Sequence, residues 1–362
     1  IFICKQRYTF IMKTIVFTGG GTAGHVMPNI ALIDILSKEY RCVYIGSDGM
    51  EKRLALPAVG EENYFEINAA KFRRKLTPQN LALPFKVARS VKQCVGILKK
   101  LSPSLVFAKG GYVSFPVARA AFRLKIPVII HESDASMGLA NRLIKNKCAA
   151  VLTSFDSAAA KCGKNAARTG SPIRQSIYSA NKKLGLLSTG FDGKRKIVCV
   201  VGGSLGAASL NKLLLEALPL VTTDYDVFLI SGKGKKLPVA AEGFAQTEFA
   251  DNIFDIFAAA DVVVARSGAN TVFELAAMRK PMVLIPLSRA TRGEQKQNSE
   301  YFFEKGCCLT ADEDALTPET LKGKIDLAIA GADKMKDSQR RLKPDGTKAI
   351  AEKIRQIAER QN

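Results

Sequence analysis

The amino-acid sequence predicts an α/β protein built from two doubly wound, Rossmann-like domains facing a central cleft. Three observations carry that reading. Apolar runs of strand length alternate with helical stretches, both halves open on a strand, a glycine cluster and a helix, and a polar segment separates the halves. At 362 residues the chain exceeds one ordinary core and suits two domains of roughly 150–180 residues.

The first half supplies the strand-like runs "KTIVFT" (13–18), "RCVYIG" (41–46), "LVFAKG" (105–110), "IPVII" (126–130) and "AAVLTS" (149–154). The second half repeats the habit with "RKIVCVVGG" (195–203), "DVFLISG" (226–232), "DVVVARSG" (261–268) and "PMVLIPL" (281–287). Continuous rather than alternating apolar strands, separated by helices, imply parallel sheets covered on both faces. The segment 171–194 is polar and lacks periodicity, so the boundary falls there. The expected organisation is a tail at 1–11, a first domain at 12–171, a linker at 172–194, a second domain at 195–345 and a capped amphipathic helix at 346–362. The opening "IFICKQRYTFI" lacks the long apolar region and cleavage site of a secretory signal, and Met12 opens the first convincing strand. Residues 1–11 therefore read as an upstream-translated or disordered tail.

Composition narrows the function classes. With 47% hydrophobic and 24% charged residues, and no apolar run of the roughly 18–20 residues a span needs, the chain reads as soluble and globular. Its eight cysteines show no CxxC pair and no framework spacing, so they read as reduced core thiols. A net charge of +21 calls for a polyanionic neighbour: nucleic acid, anionic lipid or a phosphate-rich substrate. Nucleic acid is disfavoured, because there is no Trp, aromatic content is 7%, and the bases are not interleaved with stacking rings.

The excess charge is local. Between Ile67 and His131 there is no Asp or Glu, while Lys71, Arg73, Arg74, Lys75, Lys86, Arg89, Lys92, Lys99, Lys100, Lys109, Arg119, Arg123 and Lys125 all fall inside. There Leu81, Leu83, Phe85, Val87, Val91, Val95 and Leu98 mix with the bases, a pattern expected of a surface element lying on anionic lipid. The same pattern also fits a helix with an apolar core face and a basic outer face.

Two glycine loops, "GGGTAGH" (19–25) and "GGSLGA" (202–207), each lead from a strand into a helix. Such turns point backbone N–H groups and a helix dipole at an anion, which makes both candidate phosphate cradles beyond the carboxyl ends of the strands. The same glycines would also serve simply to turn the chain sharply. Asp48, near the end of the second strand, keeps a dinucleotide-binding dehydrogenase as an alternative, although the first loop matches neither GxGxxG nor the P-loop pattern.

Seven ordered motifs resemble the MurG family of glycosyltransferases, which add N-acetylglucosamine to lipid I during bacterial peptidoglycan synthesis. They are "GGGTAGHVMPN" (19–29), "KGGYVSFPV" (109–117), "HESDASMGLANR" (131–142), "TGSPIR" (169–174), "GGSLGA" (202–207), "RSGANTVFELAA" (266–277) and "RGEQKQNSEYF" (292–302), and the likeness covers about residues 12–330. The resemblance implies a GT-B fold, an acceptor-binding N-terminal half, a UDP-N-acetylglucosamine-binding C-terminal half, and inversion at the anomeric carbon. Such a reaction wants one base for the acceptor hydroxyl and several donors for the departing UDP.

By resemblance, His25 is the base. The donor is expected to meet Gly203, Ser204, Leu205 and Gly206 at a helix start, with Arg174 on the diphosphate, Glu274 on the ribose, and Ala269 and Thr271 beside the nucleotide and sugar. Ile253 falls in the segment expected against uracil. Further donor contacts are implied at Thr22, Ala23, Gly24, Asp134, Asn141, Gln295 and Asn298, and acceptor contacts at Gly20, Gly21, Gly110, Gly111 and Tyr112. Where many members carry "HEQN" this chain has "HESD", so Asp134 replaces an amide and accepts without donating. No cofactor or metal is expected: the runs "DED" (312–314) and "DYD" (224–226) read as solvated acidic turns. The implied partners are UDP-N-acetylglucosamine, lipid I and an anionic membrane, with wall-building proteins as further candidates. The implied location is peripheral, on the cytoplasmic face of the cell membrane. A UDP-N-acetylglucosamine 2-epimerase on the same fold is the related alternative.

Overall fold

The computed structural model describes residues 12–70, 82–203, 207–287 and 293–360. The expected tail at 1–11, together with Lys71, Arg73, Arg74, Lys75 and Leu81 of the basic stretch, lies outside the described residues.

One sheet contains β1 (Thr14–Thr18), β2 (Arg41–Gly46), β3 (Tyr64–Glu66), β4 (Leu105–Ala108), β5 (Val128–Glu132), β6 (Ala150–Thr153) and β7 (Ala166–Arg168), in the order β3-β2-β1-β4-β5-β6-β7. The other contains β8 (Ile197–Val201), β9 (Asp226–Ile230), β10 (Phe244–Thr247), β11 (Val262–Ala265), β12 (Met282–Leu284) and β13 (Leu309–Thr310), in the order β10-β9-β8-β11-β12-β13. Pairing is parallel: Val16 stands opposite Val43 and Val106, and Val200 opposite Leu229 and Val264. Ile15, Val16, Phe17, Val198, Cys199 and Val200 are all buried, as strands covered by helices on both faces must be. In each sheet the strand order reverses beside the first strand, between β1 and β4 and between β8 and β11. At such a switch point the loops leaving the carboxyl ends diverge and leave room for a ligand.

Contacts divide the chain into two compact units. One comprises residues up to 131, 138–151 and 349 onward; the other comprises 132–137 and 152–348. Segment 172–194, expected as a linker, instead carries the helix Lys182–Thr189, which packs against helix Ile253–Ala259 in the second unit. Gly185 permits that approach, since a Cβ there would lie 1.9 Å from the Asp255 carbonyl oxygen. The terminal helix Thr347–Glu359 buries Ile350, Ala351, Ile354 and Ala358, and Arg355 forms two 2.8 Å bonds to Glu39 of the first unit.

The basic stretch is partly core. Helix Leu83–Leu101 buries Val91, Cys94 and Leu98, leaves Val87 and Val95 half-buried, and presents Phe85 at 80% exposure beside exposed Lys86 and Arg89. Lys109 departs from the expected basic surface, because it directly follows β4 and is buried at 1% exposure. The seven described cysteines are all buried and none forms a disulfide. No helix of the described residues is long and apolar enough to cross a membrane.

Candidate functional site

In the first unit the loops after β1, β2 and β4 converge, because parallel strands place their carboxyl ends along one edge. His25 lies in the first turn of helix Ala23–Leu36, and its Nδ1 is 3.1 Å from the Gly20 carbonyl oxygen and 3.1 Å from Thr22 Oγ1. A carbonyl only accepts, so Nδ1 carries the proton and Nε2 keeps its lone pair. Burial, reinforced by the positive charge of Lys109, holds the imidazole down to about 4, against the opposing pull of the Gly20 carbonyl and Glu51. The ring is therefore neutral at pH 7, as a general base must be.

Gly110 and Gly111 back the same loop. Gly111 has φ +79°, and a Cβ there would meet the Gly20 carbonyl oxygen at 2.1 Å, so this close approach requires glycine. Tyr112 lays its ring against Gly21 and brings its hydroxyl 3.4 Å from Ser47 Oγ. Asn141, expected on the donor side, is a buried residue of the first unit beside Gly110, donating to the His131 carbonyl at 3.4 Å. Thr22, Ala23 and Gly24 likewise belong to the first unit: Thr22 is the exposed N-cap, and the other two open the helix. Gly20 and Gly21, expected against the acceptor, lie in the loop after β1, where the Gly21 N–H donates to Glu51 Oε2 at 3.3 Å. That amide of the supposed acceptor cradle serves the protein's own carboxylate.

In the second unit, Arg174 and Glu274 are joined. Nε donates to Oε1 at 2.9 Å and Nη2 to Oε2 at 3.2 Å, while the guanidinium sits 4.2 Å over the Phe254 ring. Burial pushes the Glu274 carboxyl up, and the Arg174 charge opposes that shift. Ala269 and Thr271 lie in the first turn of helix Ala269–Ala277, and Ile253 opens helix Ile253–Ala259 beside Phe254. Gly203 follows β8 with φ +85°; Ser204, Leu205 and Gly206 lie outside the described residues. Gln295 accepts from the Leu287 N–H at 3.0 Å.

Asn298, expected near the sugar, is held by protein partners. It is 0% exposed, its Oδ1 accepts from the Ala135 N–H at 3.0 Å, and its Nδ2 donates to Asp134 Oδ1 at 3.0 Å and to the Ser267 carbonyl at 3.1 Å. Both amide hydrogens are used in tying "HESD" to the loop after β11, so neither is left to donate to a sugar hydroxyl. Asp134 accordingly receives a protein amide. The acidic runs are also engaged rather than merely solvated: Glu313 pairs with buried Arg266, Asp224 with Lys322 at 2.7 Å, and Asp226 with Arg195 at 3.2 Å.

Sequence reasoning misses Glu51, Ser47, Phe254 and Ser267. Glu51 stands three residues beyond the Asp48 weighed for a ribose, and Asp48 itself is exposed and paired with Lys52 at 3.3 Å. The signal available in the sequence was an acid at the start of a helix that directly follows a strand and a glycine turn.

Comparison with known proteins agrees along the chain. Residues 15–153 match the glycosyltransferase family 28 N-terminal domain, and 197–360 the family 28 C-terminal domain. The UDP-N-acetylglucosamine--N-acetylmuramyl-(pentapeptide) pyrophosphoryl-undecaprenol N-acetylglucosamine transferase of Shouchella clausii (strain KSM-K16) is 42% identical, with 87% of this chain and 90% of that protein covered. The protein of the same name from Lachnoclostridium phytofermentans (strain ATCC 700394 / DSM 18823 / ISDg) is 44% identical, with 86% and 89% covered. The crystal structure of Acinetobacter baumannii MurG shares the fold at TM-score 0.75 and 23% identity, covering 95% of this chain and 99% of that one. With both domains matched and relatives above 40% identity over most of its length, the chain belongs to glycosyltransferase family 28 and, within it, to the MurG family of N-acetylglucosaminyltransferases.

Proposed function

We propose that this chain moves N-acetylglucosamine from UDP-N-acetylglucosamine to the MurNAc 4-hydroxyl of undecaprenyl-pyrophosphoryl-MurNAc-pentapeptide (lipid I), with inversion, to give lipid II. The observation that carries the reading is His25, neutral and protonated on Nδ1 at the switch point of the first sheet. The hydroxyl oxygen attacks C1 of the sugar, its proton passes to His25 Nε2, and the C1–O bond breaks with its electron pair leaving on UDP. One edge of the Arg174 fork is spent on Glu274, and the other faces a diphosphate oxygen. Glu274 accepts from ribose hydroxyls, the backbone around Gly203 and the helix starting at Ala269 stabilise charge on the leaving group, and Gln295 reads the sugar. No metal takes part.

The test uses UDP-N-acetylglucosamine labelled in the sugar, with and without a lipid I analogue, each with and without chelator. Label is expected in the lipid only when acceptor is present, whether or not chelator is added. Donor turnover without lipid would instead indicate an epimerase, and loss of transfer on chelation would overturn the metal-free step.

A lipid-linked acceptor places the enzyme on a membrane, and we assign the docking to the start of helix Leu83–Leu101, where Phe85, Lys86 and Arg89 are exposed. Each such base is worth about 1 kcal/mol on an anionic leaflet, so the pair Lys86→Gln and Arg89→Gln is expected to reduce binding to anionic vesicles by about 30-fold. Binding should also fall as salt rises, with UDP affinity unchanged. Pelleting that ignores both the substitutions and salt would place the contact elsewhere. The location follows as peripheral, on the leaflet that presents lipid I to the cytoplasm.

A further inference from the structure

We infer that Glu51 is a positioning residue for His25, acting through the single peptide unit that joins Gly20 to Gly21. The carbonyl of that peptide receives the His25 Nδ1 proton at 3.1 Å, and its N–H donates to Glu51 Oε2 at 3.3 Å. A peptide is planar, so fixing the direction of its N–H fixes the direction of its C=O. The carboxylate therefore orients the acceptor that holds the imidazole in its Nδ1–H tautomer. It also polarises that acceptor, because hydrogen bonds in series strengthen one another. As Nε2 takes the hydroxyl proton, the positive charge gained by the ring is met by a carbonyl made more negative from behind. The inference rests on His25 being the base, as read above.

The setting is built for this. Glu51 lies in the first turn of helix Met50–Val59 and is 1% exposed, and a carboxylate so buried needs donors. It has them on two loops: Gly21 N–H on Oε2, and on Oε1 the Ser47 N–H at 3.2 Å together with the Ser47 hydroxyl. Ser47 is held in turn by the Tyr64 hydroxyl, which donates to its carbonyl at 2.6 Å, and it lies 3.4 Å from the Tyr112 hydroxyl on the third loop. A Cβ at Gly20 would lie 2.8 Å from the Glu51 carboxyl carbon and 2.7 Å from Val113, so glycine there lets the carboxylate reach the next amide. The loop foreseen as a grip for an external phosphate thus carries an anion of its own.

The test is a double-mutant cycle on the full chain. Glu51→Gln keeps the shape but opposes an amide to the Gly21 N–H, and it is expected to lower kcat about 10- to 100-fold. KM for both substrates should stay within about threefold, and UDP binding should be unaltered. In a His25→Ala background the same substitution should cost less than about twofold, because the residue through which it acts is gone; a role in general folding would instead multiply through. Undiminished kcat in a folded Glu51→Gln chain, or a full additive loss on top of His25→Ala, overturns the inference. An active His25→Ala enzyme would remove the base reading itself, whereas a crippled His25→Ala beside an unaffected Glu51→Gln removes only this inference. Should Glu51→Gln fail to fold, nitrogen-15 NMR of the native chain decides, since a His25 protonated on Nε2 instead of Nδ1 is incompatible with the relay.

Discussion

Replacement of His25 by alanine is expected to lower kcat by about 10²–10⁴-fold while leaving the donor KM nearly unchanged. The residue belongs to the first unit and is the base proposed above for the acceptor hydroxyl, so its loss would remove a proton acceptor while the Arg174–Glu274 pair belongs to the second unit. Steady-state kinetics with a soluble lipid I analogue reads the split, and an unchanged turnover number removes His25 from the mechanism. The pH profile adds an independent check. With the imidazole held at about 4 by burial and by Lys109, kcat should be insensitive to this group from pH 8 down to about 5 and fall only below that. A histidine at its ordinary value would already halve the rate near pH 6.5. The stability linkage has the same sign: the folded value lies below the unfolded one, so the folded chain binds fewer protons. The stability associated with neutral His25 is complete above about 6.5 and is lost as pH falls toward 4.

Glu274→Ala is expected to weaken UDP binding by about 10–100-fold and to lower the melting temperature by on the order of 5 °C. The carboxylate accepts two bonds from Arg174, whose guanidinium otherwise rests on the Phe254 ring. Hydrogen bonds to charged groups are worth about 1.5–3 kcal/mol, and their loss leaves Arg174 unanchored where the diphosphate should meet it. Titration calorimetry with UDP measures the first effect and a thermal scan the second. Glu274→Gln should lie between the alanine variant and the native chain, since it retains one acceptor of the same shape. A folded alanine variant with native UDP affinity would restrict Glu274 to a packing role.

The strands show how far one chain's residues announce its fold. Nine strands are legible, and each lies inside a sheet, flanked on both sides by partners and covered on both faces, so each carries an unbroken apolar run of at least three residues, with polar residues confined to its ends. The four that were not legible, β3, β7, β10 and β13, are the four edges of the two sheets. None of their residues is fully buried, and a strand paired on one side only can be as short as Leu309–Thr310. An edge strand owes its existence to the neighbour it adds to, and that neighbour lies elsewhere in the sequence.

The site divides the same way. The glycine loops are legible because strand, turn and helix start are local events with local residue requirements, whereas His25, Arg174 and Glu274 are marked only by the resemblance of the motifs that carry them. Which groups meet is not local. That Asn298 spends its amide on residues more than a hundred and sixty positions away, that Arg174 clasps Glu274 across a hundred, and that Glu51 rather than Asp48 is the buried acid were decided by packing. A buried polar atom must find its partner wherever the fold provides one. Side-chain period and backbone freedom make the alternation of strands and helices and the two glycine turns readable from the residues alone. Which carboxylate, amide and guanidinium face one another depends on packing, because desolvation makes that pairing obligatory and only the folded chain brings the partners within reach.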